Sequence, residues 1–182
     1  MNTLNRLRCA AALTLAAVAV ASAAITGTPA GGDELTDTLQ PPAGQRALTT
    51  VVGRGAQIYE CRRRAADVSP AWVLVAPEAE LFDAQGQHVG SHGAGPFWAD
   101  DDGSRIVGSV QSRAEAPGSD AIPWLLLTTR STAGTGRLSA VTHVQRIHTV
   151  GGVAPTSGCT AQTLGQQVRV PYRADYRLFV PN

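Results

Sequence analysis

From Arg46 to the C-terminus, short β-branched and apolar runs alternate with turn residues. Candidate strands fall at 46–52, 55–62, 71–76, 79–83, 87–91, 104–112, 122–130, 138–149 and 167–179. Between them stand turn signals such as Asp83-Ala84-Gln85-Gly86, Asp100-Asp101-Asp102-Gly103, Pro117-Gly118-Ser119-Asp120, Gly134-Thr135-Gly136 and Gly151-Gly152. Many short strands with this punctuation predict one all-β domain, an antiparallel sandwich or flattened barrel of about eight to ten strands. No long helical periodicity, internal repeat or second domain interrupts it.

Two segments depart from simple alternation. Ile122-Pro123-Trp124-Leu125-Leu126-Leu127 is apolar on both faces, as a core strand would be, with Pro123 at its start because proline lacks a ladder donor. In 138–149 the apolar residues Leu138, Val141, Val144 and Ile147 recur every three, nearer a helical spacing. That stretch is β-branched and uncapped, which favours a strand carrying a bulge.

The N-terminal pattern is of another kind. Met1–Arg8 carries Arg6 and Arg8 and no acid, Cys9–Val20 is almost wholly apolar, and Ala21-Ser22-Ala23 supplies small residues. This order predicts a cleavable export signal over 1–23. The apolar run is about a dozen residues, too short at ~1.5 Å per residue to span a ~30 Å hydrocarbon core. No later segment is long and apolar enough to do so. A buried N-terminal helix fits less well. Cys9 also stands at the wrong end of the run for lipid attachment. Residues 24–45, rich in Gly, Pro, Thr and Ala, read as a flexible leader, leaving 46–182 as the β domain. The expected location is periplasmic or extracellular.

Export changes the charge and the thiol chemistry. The chain has 15 basic and 14 acidic residues, and two of the arginines lie in the signal. The remainder is close to neutral, which argues against a nucleic-acid partner. With Cys9 removed, Cys61 and Cys159 remain, and two thiols in an oxidising compartment most simply form one bridge. Two unpaired buried thiols are the alternative.

The densest polar cluster runs from His88 through His92 and Trp98 to Asp102 and Ser104 within one Gly-rich connection. Read functionally, it is a ligand pocket with Trp98 as a platform and His92, Asp102 and Ser104 as polar contacts. The competing reading packs Trp98 in the core and leaves the aspartates as a solvated turn. Arg146 sits inside a β-branched run and is expected to need an acid partner, Asp175 or one of Asp100–Asp102, unless it binds a ligand carboxylate.

Other chemistries find little support. His88 and His92 would stand ~13 Å apart on a strand, too far to share a metal ion. The aspartate run lacks calcium-loop spacing. No G-x-S-x-G elbow and no G-x-G-x-x-G is present, so neither an acyl-enzyme nor a dinucleotide cofactor is expected. Glu60, Glu78, Glu80, Asp102 and Asp175 are candidate paired carboxylates that sequence alone does not pair. Arg62-Arg63-Arg64 reads as a solvated turn or an anion-facing patch.

Several blocks together resemble the exported family catalogued as domain of unknown function 3455. They include Gly55–Cys61, Trp72–Asp83, His92–Trp98, Asp102–Ser104, Ile122–Leu127, Gln145–Gly152, Gly158-Cys159 and Val170–Tyr176. The resemblance implies secreted bacterial or fungal proteins without an assigned activity. A malate dehydrogenase label carried by some relatives is not supported by this chain, which lacks the dinucleotide fingerprint. Gly93 departs from a position that is usually aromatic in the family. If that aromatic lines a pocket, the pocket here is wider or absent.

The expectation is therefore a non-enzymatic exported domain that binds a small molecule, glycan or envelope component through the 92–104 loop, with no cofactor or metal. The alternative is a secreted hydrolase with a carboxylate or histidine site in the same loop.

Overall fold

The computed structural model describes residues 37–65 and 68–182. The expected export signal and most of the expected leader lie outside them. After a single 3-10 turn, Asp37–Leu39, come eight strands: β1 Gln45–Arg63, β2 Pro70–Phe82, β3 His88–Gly93, β4 Phe97–Asp100, β5 Arg105–Ala114, β6 Trp124–Ala133, β7 His143–Gly151 and β8 Gln167–Pro181. Each pairs antiparallel with the next, and β8 returns to pair with β1, so a single sheet closes on itself. Of the two architectures the sequence allows, the closed sheet forms and the sandwich does not. Closure leaves no terminal edge strand open to pairing with another chain. Among the described residues no helix is long and apolar enough to cross a membrane.

Alternation sets the two faces of the sheet. Along β8, Tyr172, Ala174, Tyr176, Leu178 and Val180 are buried, while Arg173 is exposed and Asp175 and Arg177 are partly so. The buried set meets Val51, Leu81, Trp98, Ile106, Leu127 and Val144 in one interior cluster. Strands longer than the sequence predicts account for two mergers: 46–52 with 55–62 in β1, and 71–76 with 79–83 in β2. The residues that read as breaks are close-approach points. A side chain at Gly53 would strike the Tyr176 ring, and one at Gly55 would meet the Glu78 carbonyl and Ala79. Pro77 is tolerated because β2 pairs with β3 only from Ala79 onward.

A second cluster lies on the other face of β6 and β7, where Trp124, Leu126 and Ile147 pack with Leu39. This explains why 122–127 is apolar on both sides: Leu125 and Leu127 belong to the interior, Trp124 and Leu126 to the layer under Leu39. Leu39 is fully buried, and its carbonyl accepts a bond from Gln145 Nε2 at 2.5 Å. Leu39 thus anchors the C-terminal part of the expected leader to the sheet. The period of three in 138–149 has the same origin. Residues 137–140 form a turn, then β7 sends Val144 inward and Ile147 to the outer cluster. The bulge follows at Ile147–Val150, where His148 takes a left-handed φ of 49°.

The connection expected to be one Gly-rich loop at 92–104 is instead a tight hairpin with its own strand. β3 and β4 pair His92 with Trp98 and Gly93 with Phe97 around the 94–96 turn. A short run containing two glycines and a proline hides a four-residue strand from pattern reading.

Cys61 and Cys159 are bridged, as expected. The bridge ties the β7–β8 connection to the end of β1. There the Cys61 backbone also bonds Gly165 and Gln166, and the Trp72 indole donates to the Ser157 carbonyl.

Candidate functional site

The interior is not completely filled. A cavity of about 310 Å3 is lined by residues from all eight strands, among them Gln57, Leu74, His92, Trp98, Arg146 and Tyr176. That volume lies at the small end of the ~300–1,000 Å3 usual for small-molecule sites. Its mouth opens where β2 runs on past the end of β3: Leu74–Pro77 form one lip and the Ala94–Pro96 turn the other. Leu74, Val75 and Val110 are 50%, 40% and 52% exposed there. Gln57, Trp98 and Tyr176 are at most 1% exposed and form the deep wall.

His92 enters the wall because it alternates with the outward Gly93. It faces Trp98 across the hairpin, their rings stacked at 4.6 Å and 26°. Tyr176 closes the aromatic group at 4.9 Å from His92 and 5.5 Å from Trp98. The His92 Nδ1–H donates to the Phe97 carbonyl at 2.6 Å, which leaves Nε2 as an acceptor on a neutral ring. Burial, reinforced by the positive charge of Arg146, lowers the His92 pKa to about 4, against the opposing backbone bond to Phe97. The Tyr176 hydroxyl lies 3.1 Å from that of Tyr172. Burial pushes both phenols above their ordinary range.

Arg146 does not make the ion pair expected of it. Its Nε and Nη2 donate to the Pro123 carbonyl at 3.1 and 2.8 Å. Asp175 is occupied by His148 and Arg173, each at 2.9 Å, and Asp100 by Arg137 at 3.3 Å. Burial depresses the Arg146 pKa, with Arg113 adding to the effect and the phenols of Tyr176, Tyr172 and Tyr59 opposing it. A proline carbonyl supplies a fixed dipole but no counter-charge. Gln57, which lines the same cavity as Arg146, is 1% exposed, and its amide nitrogen has no hydrogen-bond partner.

Of the five residues singled out in the sequence, His92, Trp98 and Arg146 converge on this cavity. Asp102 and Ser104 do not line it. Asp102 accepts from the backbone N–H of Arg137 and Ser104 at 2.6 and 2.8 Å and from the Ser104 hydroxyl at 2.5 Å. These bonds hold its carboxyl below the usual aspartate range. Ser104 Oγ in turn accepts from the Leu138 N–H at 3.1 Å. The pair fastens the β4–β5 turn to the 134–139 loop, as the solvated-turn reading anticipates for the aspartates.

Gln57, Tyr176 and Arg113 are the polar lining residues that sequence reading missed. Gln57 carried a usable signal: a polar residue at an inward position of β1 between Gly55 and Tyr59. Gly93 does not bear on the cavity width. Its side-chain direction is already filled by the Phe97 ring, with 2.5 Å to the nearest ring atom.

The candidate carboxylates are separated by their partners. Glu60 binds Arg62 at a half-buried position, and Glu78 binds Arg169 and Glu80 binds His88 at exposed ones. Among the described residues no group of three His, Cys, Asp or Glu side chains is placed to hold a metal ion.

Comparison with curated proteins found no match, and comparison with solved structures found none. The sequence profile described as "Protein of unknown function (DUF3455)" matches residues 42–180, from the approach to β1 to the end of β8. The matched span carries every strand of the closed sheet and every residue of the cavity wall, and the chain belongs to that family.

Proposed function

We propose that this protein is a non-enzymatic binder of a small molecule, which it holds inside the closed sheet, and that residues 1–23 direct its export. The observation that carries the reading is Gln57: a buried amide without a hydrogen-bond partner for its nitrogen, on the wall of a cavity that also presents Arg146 and His92. Leaving such a group unsatisfied costs ~1–3 kcal/mol. A protein that used its interior only for stability would gain by filling this space with apolar side chains. An eight-stranded closed sheet is also about the size that holds one small ligand.

The contact region is therefore the interior face of the 92–98 hairpin rather than the 92–104 segment as an exposed loop. A hydrolase centred on that segment has less to support it, because the carboxylates near it are bonded to Arg137, Ser104 and His88 and do not line the cavity. The test is a thermal-shift and native-mass screen of the oxidised protein against small amphipathic compounds and a glycan array. A small-molecule hit that disappears in Val110→Trp, which narrows the mouth from an exposed position, is the expected result. Hits unchanged by that substitution would place the site elsewhere.

A further inference from the structure

We infer that the cavity takes a small monoanion, a carboxylate on an apolar body, with its head on Arg146 and Gln57 and its apolar part along Trp98 toward the mouth. This rests on the small-molecule reading above and adds the charge and polarity of the ligand. Three observations carry it.

The first is the geometry of Arg146. A guanidinium has five N–H donors in a planar fork. Here Nε and Nη2 share one carbonyl, and no carboxylate pairs with the group among the described residues. A half-buried cation lacking an ionic partner is costly, and an entering carboxylate both neutralises it and uses the free side of the fork. The second is the sign of the wall. Arg113 stands at the cavity as well, and no acid is among the lining residues, so the field inside is positive and attracts an anion. The third is the distribution of polarity. Beside the polar groups Gln57, His92, Arg113 and Arg146 the lining is mainly apolar, with Leu74, Val75 and Val110 exposed at the opening. A ligand that is anionic at one end and apolar along the rest matches that mixed lining. One fork with two of its five donors already engaged suits a single carboxylate better than a phosphate dianion.

The experiment is calorimetric titration of the oxidised protein with octanoate and cinnamate, beside 1-octanol and cinnamyl alcohol. The acids are expected to bind at least tenfold tighter than the matched alcohols. Arg146→Gln should bring the acids down to the alcohols' affinity and leave the alcohols unchanged. Because that substitution also frees the Pro123 carbonyl, Gln57→Leu is the companion variant. It removes a buried group lacking a partner, so the ligand-free protein should melt higher while the acids bind several-fold more weakly. Alcohols that bind as tightly as acids would overturn the charge assignment and leave the cavity as a small-molecule site. Acid binding untouched by both substitutions would overturn it too. Failure of all four compounds to bind would overturn this inference and the reading beneath it together.

Discussion

The Phe97 carbonyl accepts the Nδ1 proton of His92 across the turn of the β3–β4 hairpin, at 2.6 Å. The bond fixes one neutral tautomer and presses the imidazole flat against Trp98, the residue directly opposite it in register. The strand pair thus sets both the orientation and the protonation of a side chain facing the cavity. Protonation would place a second positive charge in the same interior as Arg146 and under the same aromatic rings, with no acid to receive it.

A pH dependence of stability follows. Unfolded, His92 titrates near its ordinary value of 6.5; folded, it titrates near 4. Between those values the unfolded chain takes up a proton that the folded chain refuses, so the stability contribution is present above pH ~6.5 and is lost as pH falls toward 4. At ~1.4 kcal/mol per pH unit the full loss is on the order of 3 kcal/mol. Urea unfolding at pH 7 and pH 5 should show the wild type losing stability, and His92→Gln losing about 1–2 kcal/mol less over the same interval. Equal losses in both proteins would remove His92 as the titrating group.

The fold was legible where burial is one-sided and hidden where it is not. Alternation gave β8 and the turns gave most boundaries, because one face of each strand meets the interior. Gly53, Gly55 and Pro77 misled the reading because their usual meaning as breakers gives way where a neighbouring ring or backbone approaches closely, or where a strand has no partner on one side. The candidate site was legible by residue type at Arg146, His92 and Trp98. Asp102 and Ser104 joined them only by adjacency in sequence. On the hairpin, alternation carries His92 and Trp98 inward, while the β4–β5 turn uses Asp102 to close a loop. Arg146 shows a further limit. Sequence indicates that a half-buried arginine needs an acceptor, but not that a proline carbonyl at the start of the preceding strand will be it.

Leu39 should matter more than its place in a Gly- and Pro-rich approach segment suggests. It seals Trp124, Leu126 and Ile147 from water, and its carbonyl is the acceptor for buried Gln145. Leu39→Ala is expected to cost ~2–5 kcal/mol, the range for a leucine removed from a packed cluster. Chemical denaturation measures it directly. The same substitution should leave the cavity's affinity for ligands unchanged, since the residue packs on the opposite face of the sheet. A loss below about 0.5 kcal/mol, the range of an ordinary surface change, would mean that the segment is not anchored there.

The Cys61–Cys159 bridge spans 98 residues, so in the unfolded chain it removes the freedom of a loop that takes in most of the domain. The chain-entropy account assigns such a loop ~4–5 kcal/mol, and measured bridges commonly give 2–5. Reduction, or the double change Cys61→Ser with Cys159→Ser, should lower stability by that amount. It should also loosen the β7–β8 connection first, because the bridge is the covalent link among the contacts that join that connection to β1, beside the Gly165 and Gln166 backbone bonds and the Tyr59 bond to Gly152. Amide exchange localised to residues 153–166 on reduction would show this. Alkylation of both cysteines in native protein before reduction would contradict the pairing.

Asp102 provides the contrast that separates fold from ligand. Its carboxylate gathers the N–H of Arg137, the N–H of Ser104 and the Ser104 hydroxyl, and so joins two turns far apart in sequence. Asp102→Ala leaves those donors to solvent and frees Ser104 Oγ from the arrangement that positions it under the Leu138 N–H. The melting temperature should therefore fall, and Asp102→Asn should recover only part of it, since an amide oxygen can accept but carries no charge for the converging donors. The wild-type bonds favour the ionised carboxylate and lower its pKa, so the advantage of aspartate over asparagine persists above the ordinary aspartate range and fades as acid protonates the group. Ligand titrations at pH 7 should be the same for wild type and Asp102→Asn. A variant with unchanged melting but weakened binding would return Asp102 to the ligand site and detach it from the turn.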